Sequence, residues 1–335
     1  MKRKKEVIMQ YRRLGKAGLK LSELSFGSWV TYHNQVDIEK AKSLMAAAWE
    51  HGVNFFDNAE GYASGQSEKI MGQALKELGW PREQYVISTK IFWGGKTPNE
   101  TGLSYKHIIE GVNRSLRNFQ QEYVDLVFAH RPDPETPIEE TVWAFNQVIR
   151  QGKAFYWGTS EWSARDILEA ARIAKENNLI APSMEQPEYN LLHRTKFEKD
   201  YDVLYKQLGY GTTTWSPLKS GMLSGKYRGG VFPEGSRANL PGYDWLREMF
   251  SDPARVQAVE NLATIAEELG VGLAPFSIAW VLKNPHVSTV ILGASRVEQL
   301  EENFKALDVV PMLTDEVMAK IDQALAGYPD DLKVN

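Results

Sequence analysis

The segment Tyr85-Val-Ile-Ser-Thr-Lys90 is followed by a helical pattern over residues 105–118 and then by Tyr123-Val-Asp-Leu-Val-Phe-Ala-His130. Both apolar runs are short and rich in β-branched or aromatic residues, which is typical of buried strands. The segment between them has the longer apolar spacing of an amphipathic helix. A strand, a helix and a second strand in this order predict a parallel βαβ unit.

The same alternation of strands and helices extends over most of the chain. Strands are predicted at 24–28, 54–57, 85–90, 124–130, 154–159, 183–186, 212–216 and 289–293. Helices are predicted at 37–51, 67–78, 105–118, 138–151, 163–177, 197–208, 256–283 and 297–306, the long one split near Gly270 and Pro275. Eight strands, each followed by a helix, predict an α/β fold of the (β/α)8 TIM barrel type. A doubly wound open sheet is the alternative, but it rarely needs eight such units.

Local signals refine this prediction. Asp37, Ser163 and Ser295 each precede a helical pattern and are expected N-caps, and Ser163 with Asp166 has capping-box-like spacing. Residues 11–21 predict two short strands around 15–18, a hairpin that could plug the amino-terminal mouth of the barrel. A long loop rich in Gly and Pro, 219–252, follows the seventh strand, where such loops are usually functional. We expect one domain over 11–335 after a disordered basic tail, 1–10.

Composition excludes several classes of function. The 335 residues include no cysteine, which excludes disulfides, cysteine-based zinc sites, Fe–S clusters and thiol nucleophiles, and is in keeping with a cytoplasmic location. The net charge is −4, from 39 basic and 43 acidic residues, so a nucleic-acid partner is not expected. No run of eighteen apolar residues predicts a membrane span. The basic run Met1–Lys5 lacks a following apolar region, so it is interpreted as a solvated tail and not as a signal peptide.

Four polar side chains of different chemistry stand at or just after strand ends. Asp57 ends the second strand and Tyr62 follows it, Lys90 ends the third, and His130 ends the fourth. Because catalytic groups of such barrels lie at the carboxyl ends of the strands, we expect these four to meet at one mouth. A carboxylate, a phenol, an ammonium and an imidazole together suit the reduction of a carbonyl group.

The chemistry assigns complementary roles to the four groups. An alkoxide formed by hydride addition needs a proton, and a phenol with a pKa of about 10 is a weak acid unless a nearby ammonium lowers that pKa. Asp57 could hold Lys90 in place, and His130 could donate a hydrogen bond to the carbonyl oxygen.

Each residue alone also has a structural explanation. Asp57 could be a turn or cap residue, Tyr62 a surface residue, and His130 a structural histidine. Lys90 is harder to explain in this way because an unpaired buried ammonium is costly. An aldolase or sugar isomerase would need a Schiff-base lysine or a metal. Lys90 has a better partner in Asp57, and no metal site is expected.

The motifs at the strand ends resemble the aldo-keto reductase superfamily, from Tyr11 to about Tyr328, and most closely the branch of voltage-gated potassium channel β subunits and their microbial relatives. They are Phe56-Asp-Asn-Ala-Glu-Gly-Tyr62, Ser88-Thr-Lys90, Tyr123-Val-Asp-Leu-Val-Phe-Ala-His-Arg-Pro-Asp133, Tyr156-Trp-Gly-Thr-Ser160, Glu185-Gln-Pro-Glu-Tyr-Asn190, Thr214-Trp-Ser-Pro-Leu218 and Leu292-Gly-Ala-Ser295.

The resemblance implies an enzyme that reduces small aldehydes or ketones with NADPH. Tyr62 would donate the proton, and Asp57, Lys90 and His130 would complete a tetrad. The implied cofactor residues are Ser160 and Gln186 at the carboxamide, Trp215 stacked on the nicotinamide, Ser216, Pro217, Leu218 and Lys226 at the pyrophosphate, and Arg237, Gly293, Ser295, Gln299, Glu302 and Asn303 toward the adenosine.

The charges of Lys226 and Arg237 favour NADPH over NADH, because a 2′-phosphate would account for them. The alternative is that both are solvent-facing basic residues. The loops after strands seven and eight are also the usual phosphate-binding region of such barrels.

The substrate is less well determined. An aromatic rim is expected from Trp29, Tyr32, Phe92, Trp93 and Trp162, although such residues are equally common in plain packing. Arg131 could attract a phosphorylated or carboxylated substrate, or it could pair with Asp133. The resemblance also implies a possible homo-tetramer.

The competing hypothesis is an NADPH-binding interaction protein or redox sensor with slow turnover, similar to a channel β subunit. Animal channel β subunits carry Asn at the position of His130, so the histidine here completes the reductase tetrad. The ten residues before Tyr11 also leave no room for a long inactivation peptide. Both points favour an enzyme.

Overall fold

A closed barrel of eight parallel strands forms the centre of the computed structural model, which describes residues 9–29, 37–234, 236–239 and 243–328. The barrel strands are β3 (Leu24–Gly27), β4 (Phe55–Asp57), β5 (Val86–Ile91), β6 (Val124–Ala129), β7 (Ala154–Ser160), β8 (Met184–Gln186), β9 (Gly211–Thr214) and β10 (Thr289–Leu292). They pair in chain order and close between β10 and β3. The predicted (β/α)8 barrel is confirmed, with each strand within two residues of its predicted ends.

Helices surround the barrel. They are α1 (Ile38–Glu50), α2 (Gln66–Leu78), α3 (Tyr105–Phe119), α4 (Ile138–Arg150), α5 (Ala164–Glu176), α6 (Asp202–Leu208, preceded by a π-turn at Lys196–Asp200), α7 (Asp244–Ser251), α8 (Pro253–Glu268), α9 (Leu273–Lys283), α10 (Val297–Phe304), α11 (Ala306–Val309) and α12 (Asp315–Ala324). The long predicted helix does split, at Gly270 with φ +71°. Pro275 lies instead in the first turn of α9, where proline is tolerated.

Two of the three expected N-caps are present. Asp37 accepts a hydrogen bond from Lys40 N at 2.9 Å, and Ser163 accepts one from Asp166 N at 3.1 Å. The expectation for Ser295 was wrong by one position, because α10 has Arg296 as its N-cap. Ser295 donates from both its backbone N–H and its hydroxyl to Gln299 Oε1.

The amino-terminal hairpin closes the lower mouth of the barrel. Its strands β1 (Tyr11–Arg13) and β2 (Lys20–Ser22) are antiparallel. Leu14 and Leu21 are fully buried and pack on side chains from the lower part of the barrel interior, namely Phe55, Val86, Leu126, Phe128, Met184 and Ile291. Arg12 fixes the hairpin further by donating to the carbonyl oxygens of Val287 and Leu282.

The inward-facing positions change character along each strand. On β4 the buried Phe55 lies at the plugged end, and Asp57, two residues later, reaches the open mouth. On β5 Val86 lies at the plugged end, and Lys90 lies near the open mouth. Alternate residues of a strand share one face, so the same interior is apolar at its base and polar at its top.

The predicted segment 1–10 lies largely outside the described residues, as does Tyr32. Within the described ranges, no single helix is long and apolar enough to cross a membrane. The pair α8 and α9 reaches the required length and composition only when taken together across a bend of 93°.

Gly15 and Gly18, both in the hairpin turn, should respond oppositely to a methyl group. Gly15 has φ +55°, and a Cβ there would lie 2.3 Å from Gly209 O and 2.4 Å from Gly211 N, whereas a Cβ at Gly18 would meet nothing within 4 Å. Gly15→Ala should therefore lower the free energy of unfolding by more than about 1 kcal/mol. Gly18→Ala should change it by less than about 0.5 kcal/mol. Urea unfolding followed by circular dichroism measures both, and equal effects would contradict the close docking of the hairpin.

Candidate active site

The four predicted catalytic side chains meet at the open mouth of the barrel. Lys90 Nζ donates to Asp57 Oδ2 at 2.7 Å and to Tyr62 Oη at 3.0 Å. The ring of His130 stands edge-on to that of Tyr62, with centroids 5.7 Å apart. Strands β4, β5 and β6 are neighbours in the barrel, so their carboxyl ends bring these groups together although they are far apart in sequence.

The ammonium of Lys90 is fully buried and fully hydrogen-bonded. Its third bond goes to the backbone oxygen of Asn58 at 2.7 Å. Burial opposes the charge, but Asp57 and Tyr62 outweigh it and raise the pKa of Lys90 above its ordinary value. The lysine therefore stays protonated at neutral pH.

The other oxygen of the Asp57 carboxylate is held by side chains from β5 and β8. This Oδ1 accepts from Ser88 Oγ at 2.7 Å and from Gln186 Nε2 at 3.1 Å. Ser88 belongs to the Ser88-Thr-Lys90 motif, but no role was predicted for it. Its place two residues before Lys90 on the same strand face is the signal that could have identified it.

A nearby ammonium was expected to lower the pKa of the Tyr62 phenol, but in this structure that pKa is raised. Burial raises the pKa of the phenol, and the lowering by Lys90 is smaller than this effect. Tyr62 is consequently protonated throughout the neutral range. A phenol that holds its proton and touches a buried cation can donate that proton to an oxygen that becomes negative next to it.

His130 is neutral at neutral pH. Burial lowers its pKa well below the ordinary value, and the charges of Lys90 and Arg131 lower it further. Its Nδ1 is buried and has no hydrogen-bond partner among the described residues. The ring of His130 also lines the cleft beside the Tyr62 ring, so the neutral imidazole can face a substrate oxygen there.

Backbone strain and a buried carboxylate fix the position of Tyr62. The two residues after it, Ala63 and Ser64, have φ of +49° and +52°. Glu60 accepts from Phe92 N at 2.8 Å and from Arg114 Nη2 at 2.7 Å, which ties the loop to the segment after β5. Such strain persists only where the surroundings determine the conformation.

A long cleft of about 1280 Å³ runs from these residues to the start of α10. The side chains along it include most of the predicted set: Asp57, Tyr62, His130, Ser160, Gln186, Trp215, Ser216, Pro217, Leu218, Lys226, Gly293, Ser295, Gln299, Glu302 and Asn303, with Trp29, Trp93 and Arg131 at the rim. Asp57 and Asn303, which are 246 positions apart in the sequence, thus lie along one groove.

Some predicted residues lie elsewhere. Trp162 is only 2% exposed and packs in the core around the barrel, so its assignment to the rim is corrected. Phe92 packs against Trp93 and the core, with ring centroids 4.9 Å apart, and supports the rim from behind. Arg237 lies in a short turn whose backbone is described, but its side chain lies outside the described set, as does Tyr32.

Arg131 lies in the cleft and not on Asp133. Its Nη1 donates to the backbone oxygen of His130 and to Ser160 Oγ at 3.2 Å, and its guanidinium lies 5.4 Å from the centre of the Trp93 ring. Asp133 accepts instead from Leu103 N and Thr136 Oγ1. Arg131 therefore does not pair with Asp133, and its side chain is available to a substrate in the cleft.

The cleft also contains residues that the sequence did not single out. Arg296, at the N-cap of α10, and Lys40 both line it and add positive charge, and Ser220 and Gly221 belong to the loop after β9. Arg296 directly follows Ser295, a predicted cofactor residue at a helix start. This adjacency could have identified Arg296 from the sequence. Among the described residues, no group of three or more His, Asp or Glu side chains is arranged to hold a metal ion.

Beside Gln186 in sequence, Glu185 is a fully buried carboxyl group. Burial raises its pKa to about 7. Tyr201 Oη donates to Trp162 O at 2.6 Å and lies 3.1 Å from Glu185 Oε1, and Thr159 donates to the second oxygen of Glu185. The carboxyl group is therefore mostly protonated below pH 7, where an ordinary glutamate would be ionised.

The chain is similar to known proteins over nearly its whole length. The model of the aldo/keto reductase family matches residues 23–326. The chain is 55% identical over 323 residues to a probable voltage-gated potassium channel subunit beta of Arabidopsis thaliana, covering 96% of this chain and 98% of that protein. It is 53% identical to one of Oryza sativa subsp. japonica, with the same coverage. It is 50% identical over 328 residues to a putative one of Schizosaccharomyces pombe, covering 96% and 95%.

The protonated Glu185 makes stability depend on pH in a defined window. Its folded pKa of about 7 lies above its ordinary value of 4.5, so between these values the folded protein holds a proton that the unfolded chain releases. The free energy of unfolding should therefore fall by about 3 kcal/mol as pH rises through this window, and the loss should persist above it.

Glu185→Gln should abolish that dependence, because an amide stays neutral at every pH. Urea midpoints at half-unit steps from pH 5 to 8 measure it, with the exposed Glu122→Gln as the matched control. A wild-type slope that persists unchanged in Glu185→Gln would show that Glu185 is ionised.

Proposed function

The chain belongs to the aldo/keto reductase family, and we propose that it reduces small aldehydes and ketones to alcohols with NADPH, as an oxidoreductase of the class that acts on CH–OH groups with NADP as acceptor. One observation carries the proposal. Tyr62, still protonated, touches the buried ammonium of Lys90 at 3.0 Å and opens onto the cleft that Trp215 and α10 also line.

The residues of the chain supply the proton and the electrostatics of the reaction. NADPH, when bound, supplies the hydride. A carbonyl oxygen within reach of Tyr62 Oη and His130 gains negative charge as its carbon is reduced, and Tyr62 donates a proton to it. The charge left on the phenolate is stabilised by Lys90, whose own charge Asp57 maintains. Groups that are preorganised in a dry site lower the barrier most where the charge develops.

The side chains along the cleft suit a dinucleotide. Ser160 and Gln186, both almost fully buried, end neighbouring strands and offer hydroxyl and amide groups beside Asp57. Trp215 is partly buried and offers an aromatic surface, and the start of α10 offers unpaired backbone N–H groups at the far end of the cleft. We propose that these residues hold the nicotinamide and the adenosine end, respectively.

Positive charge supports NADPH over NADH. Lys226 is exposed at the cleft, and Arg296 lines the same cleft from the N-cap of α10. The 2′-phosphate is the group that distinguishes the two cofactors, and it is recognised by such cations. Arg237, which the resemblance assigns to the same end, remains part of the proposal on sequence grounds.

The rim favours aromatic or anionic substrates. Trp29 and Trp93, 44% and 45% exposed, offer apolar surface at the entrance. The guanidinium of Arg131 is bonded to two neutral oxygens, which leaves N–H groups for an anion. We therefore propose aromatic aldehydes and small aldehydes with a carboxylate or phosphate group as the substrate classes.

The second candidate is an NADPH-binding partner of a membrane channel with slow turnover. It is favoured by the names of the three relatives, each described as a probable or putative voltage-gated potassium channel subunit beta. The neutral imidazole of His130, which lines the cleft beside Tyr62, favours the enzyme. Turnover number separates the two.

Removing the Tyr62 hydroxyl should abolish turnover and leave cofactor binding intact. NADPH oxidation at 340 nm is measured with 4-nitrobenzaldehyde, methylglyoxal and glyceraldehyde 3-phosphate. Tyr62→Phe should lower kcat at least about 100-fold, since general acid catalysis contributes about 10²–10⁴. Tyr105→Phe makes the same chemical change on the exposed surface and should leave kcat unchanged. Tight NADPH binding with no multiple turnover in wild type would overturn the reductase proposal and favour the channel-partner candidate.

Arg296→Gln should weaken NADPH binding more than NADH binding. Arg296 lies in the cleft at the start of α10, where the adenosine end is proposed to bind, and losing one charge-assisted contact to the 2′-phosphate should raise the Kd for NADPH about tenfold. Lys226→Gln, at the proposed site of the pyrophosphate that both cofactors share, should raise both Kd values alike, and Lys283→Gln, at the exposed end of α9 near the plugged side, is the control for the loss of one charge. Fluorescence titration with each cofactor at low and high salt measures this, and an equal loss for NADH in Arg296→Gln would refute 2′-phosphate recognition by Arg296.

A further inference from the structure

Glu161 adopts a conformation that glutamate rarely adopts. It directly follows Ser160 at the end of β7 and has φ +61°, in the left-handed region. For a side chain with a Cβ this conformation costs on the order of 1 kcal/mol or more, so some interaction of the side chain must maintain it. Nothing in the reaction proposed above uses Glu161.

Three donors from different parts of the chain converge on its carboxylate. Oε1 accepts from the indole Nε1–H of Trp215 at 2.9 Å and from the backbone N–H of Glu188 at 2.6 Å. Oε2 accepts from Lys196 Nζ at 2.6 Å. Burial opposes ionisation, but Lys196 and these hydrogen bonds hold the pKa of Glu161 below its ordinary value. The group is a carboxylate at neutral pH, so its bond to the indole is charge-assisted.

Trp215 stands between two spaces. One is the cleft that holds Tyr62 and His130, and the other is a neighbouring cavity of about 850 Å³ that Glu161 and Lys196 line. Trp29 lines both spaces, and its ring stands edge-on to that of Trp215 with the ring centroids 6.2 Å apart. Trp29 is itself 44% exposed. The bond to Glu161 therefore holds the indole from the side of the second cavity.

We infer that Glu161 is a positioning residue that fixes the ring plane of Trp215, so that the ring face toward the cleft is preorganised for the nicotinamide. This inference rests on the proposed function, in which Trp215 receives that ring. Its physical basis is entropic: a ring already held in one rotamer loses less freedom when a ligand stacks on it.

The contact itself is tested without cofactor. Nitrogen-15 labelling of tryptophan resolves the indole N–H signals, and Trp215→Phe assigns the one from Trp215. In wild type this proton should exchange slowly with solvent. In Glu161→Ala it should exchange at least about tenfold faster, because a charge-assisted hydrogen bond is lost. Unchanged exchange in Glu161→Ala would overturn the inference whatever the protein binds.

The consequence is tested by cofactor binding. Glu161→Ala and Glu161→Gly both remove the carboxylate, but only glycine relieves the strain at φ +61°. Glu161→Gly should therefore have the higher Tm of the two, while both raise the Kd for NADPH by the same factor, about tenfold. Glu161→Gln can still accept a hydrogen bond from the indole and should raise the Kd for NADPH only about threefold. A Kd that follows Tm across the variants would assign Glu161 a merely structural role and refute positioning.

Glu23→Gln is the matched control. It weakens another buried carboxylate–cation contact, that of Glu23 with Arg12 at 2.9 Å, at the plugged end of the barrel. It should leave both the Trp215 exchange rate and the NADPH Kd unchanged. If wild type fails to bind NADPH at all, the proposed function fails, and the exchange measurement still decides whether Glu161 holds Trp215.

Discussion

The ammonium of Lys90 has no exposed surface, and the rest of the site is arranged around that charge. A buried ion pair that loses one partner costs about 3–5 kcal/mol, so Asp57 is required wherever Lys90 is charged. The carboxylate in turn needs donors, which Ser88 and Gln186 supply from two other strands. The hydroxyl of Tyr62 accepts another hydrogen bond from the ammonium and faces the cleft. The need to satisfy one buried cation thus fixes the position of the Tyr62 hydroxyl.

The barrel makes this burial possible by separating its apolar and polar ends. Inward-facing side chains at the base form a small apolar cluster with Leu14 and Leu21 of the hairpin. Toward the open mouth, the same strand faces carry ionised and hydrogen-bonded groups such as Asp57 and Lys90. The plug keeps water out of the lower end, so the field of Lys90 acts in a medium of low polarizability, where it is stronger than in water. Stability comes from the closed end and chemistry from the open one, as is general for this fold.

Strain is concentrated at the open mouth. Eight non-glycine residues with positive φ occur in the described ranges, and six of them, Ala63, Ser64, Glu161, Ser216, Lys219 and Ser220, lie in the loops after β4, β7 and β9. The other two, Gln120 and Asn178, follow helix ends, where this conformation is common. Loops that surround a cleft carry conformations which the packing elsewhere must stabilise. The hydrogen bonds of Glu60 and Glu161 are two such stabilising contacts.

The sequence by itself determined the barrel, its hairpin plug and the identity of the four side chains at the mouth. Periodicity reports which residues of one strand face one way, and chain order places neighbouring strands side by side. Only the tertiary structure decided that Trp162 is buried, that burial outweighs Lys90 in setting the pKa of Tyr62, and that burial raises the pKa of Glu185 to about 7. It also decided that Glu161 accepts a hydrogen bond from Trp215, 54 residues later in the chain. These properties depend on desolvation and on contacts between loops remote in sequence. Local pattern carries no information on either, because both are set by the closure of the whole barrel.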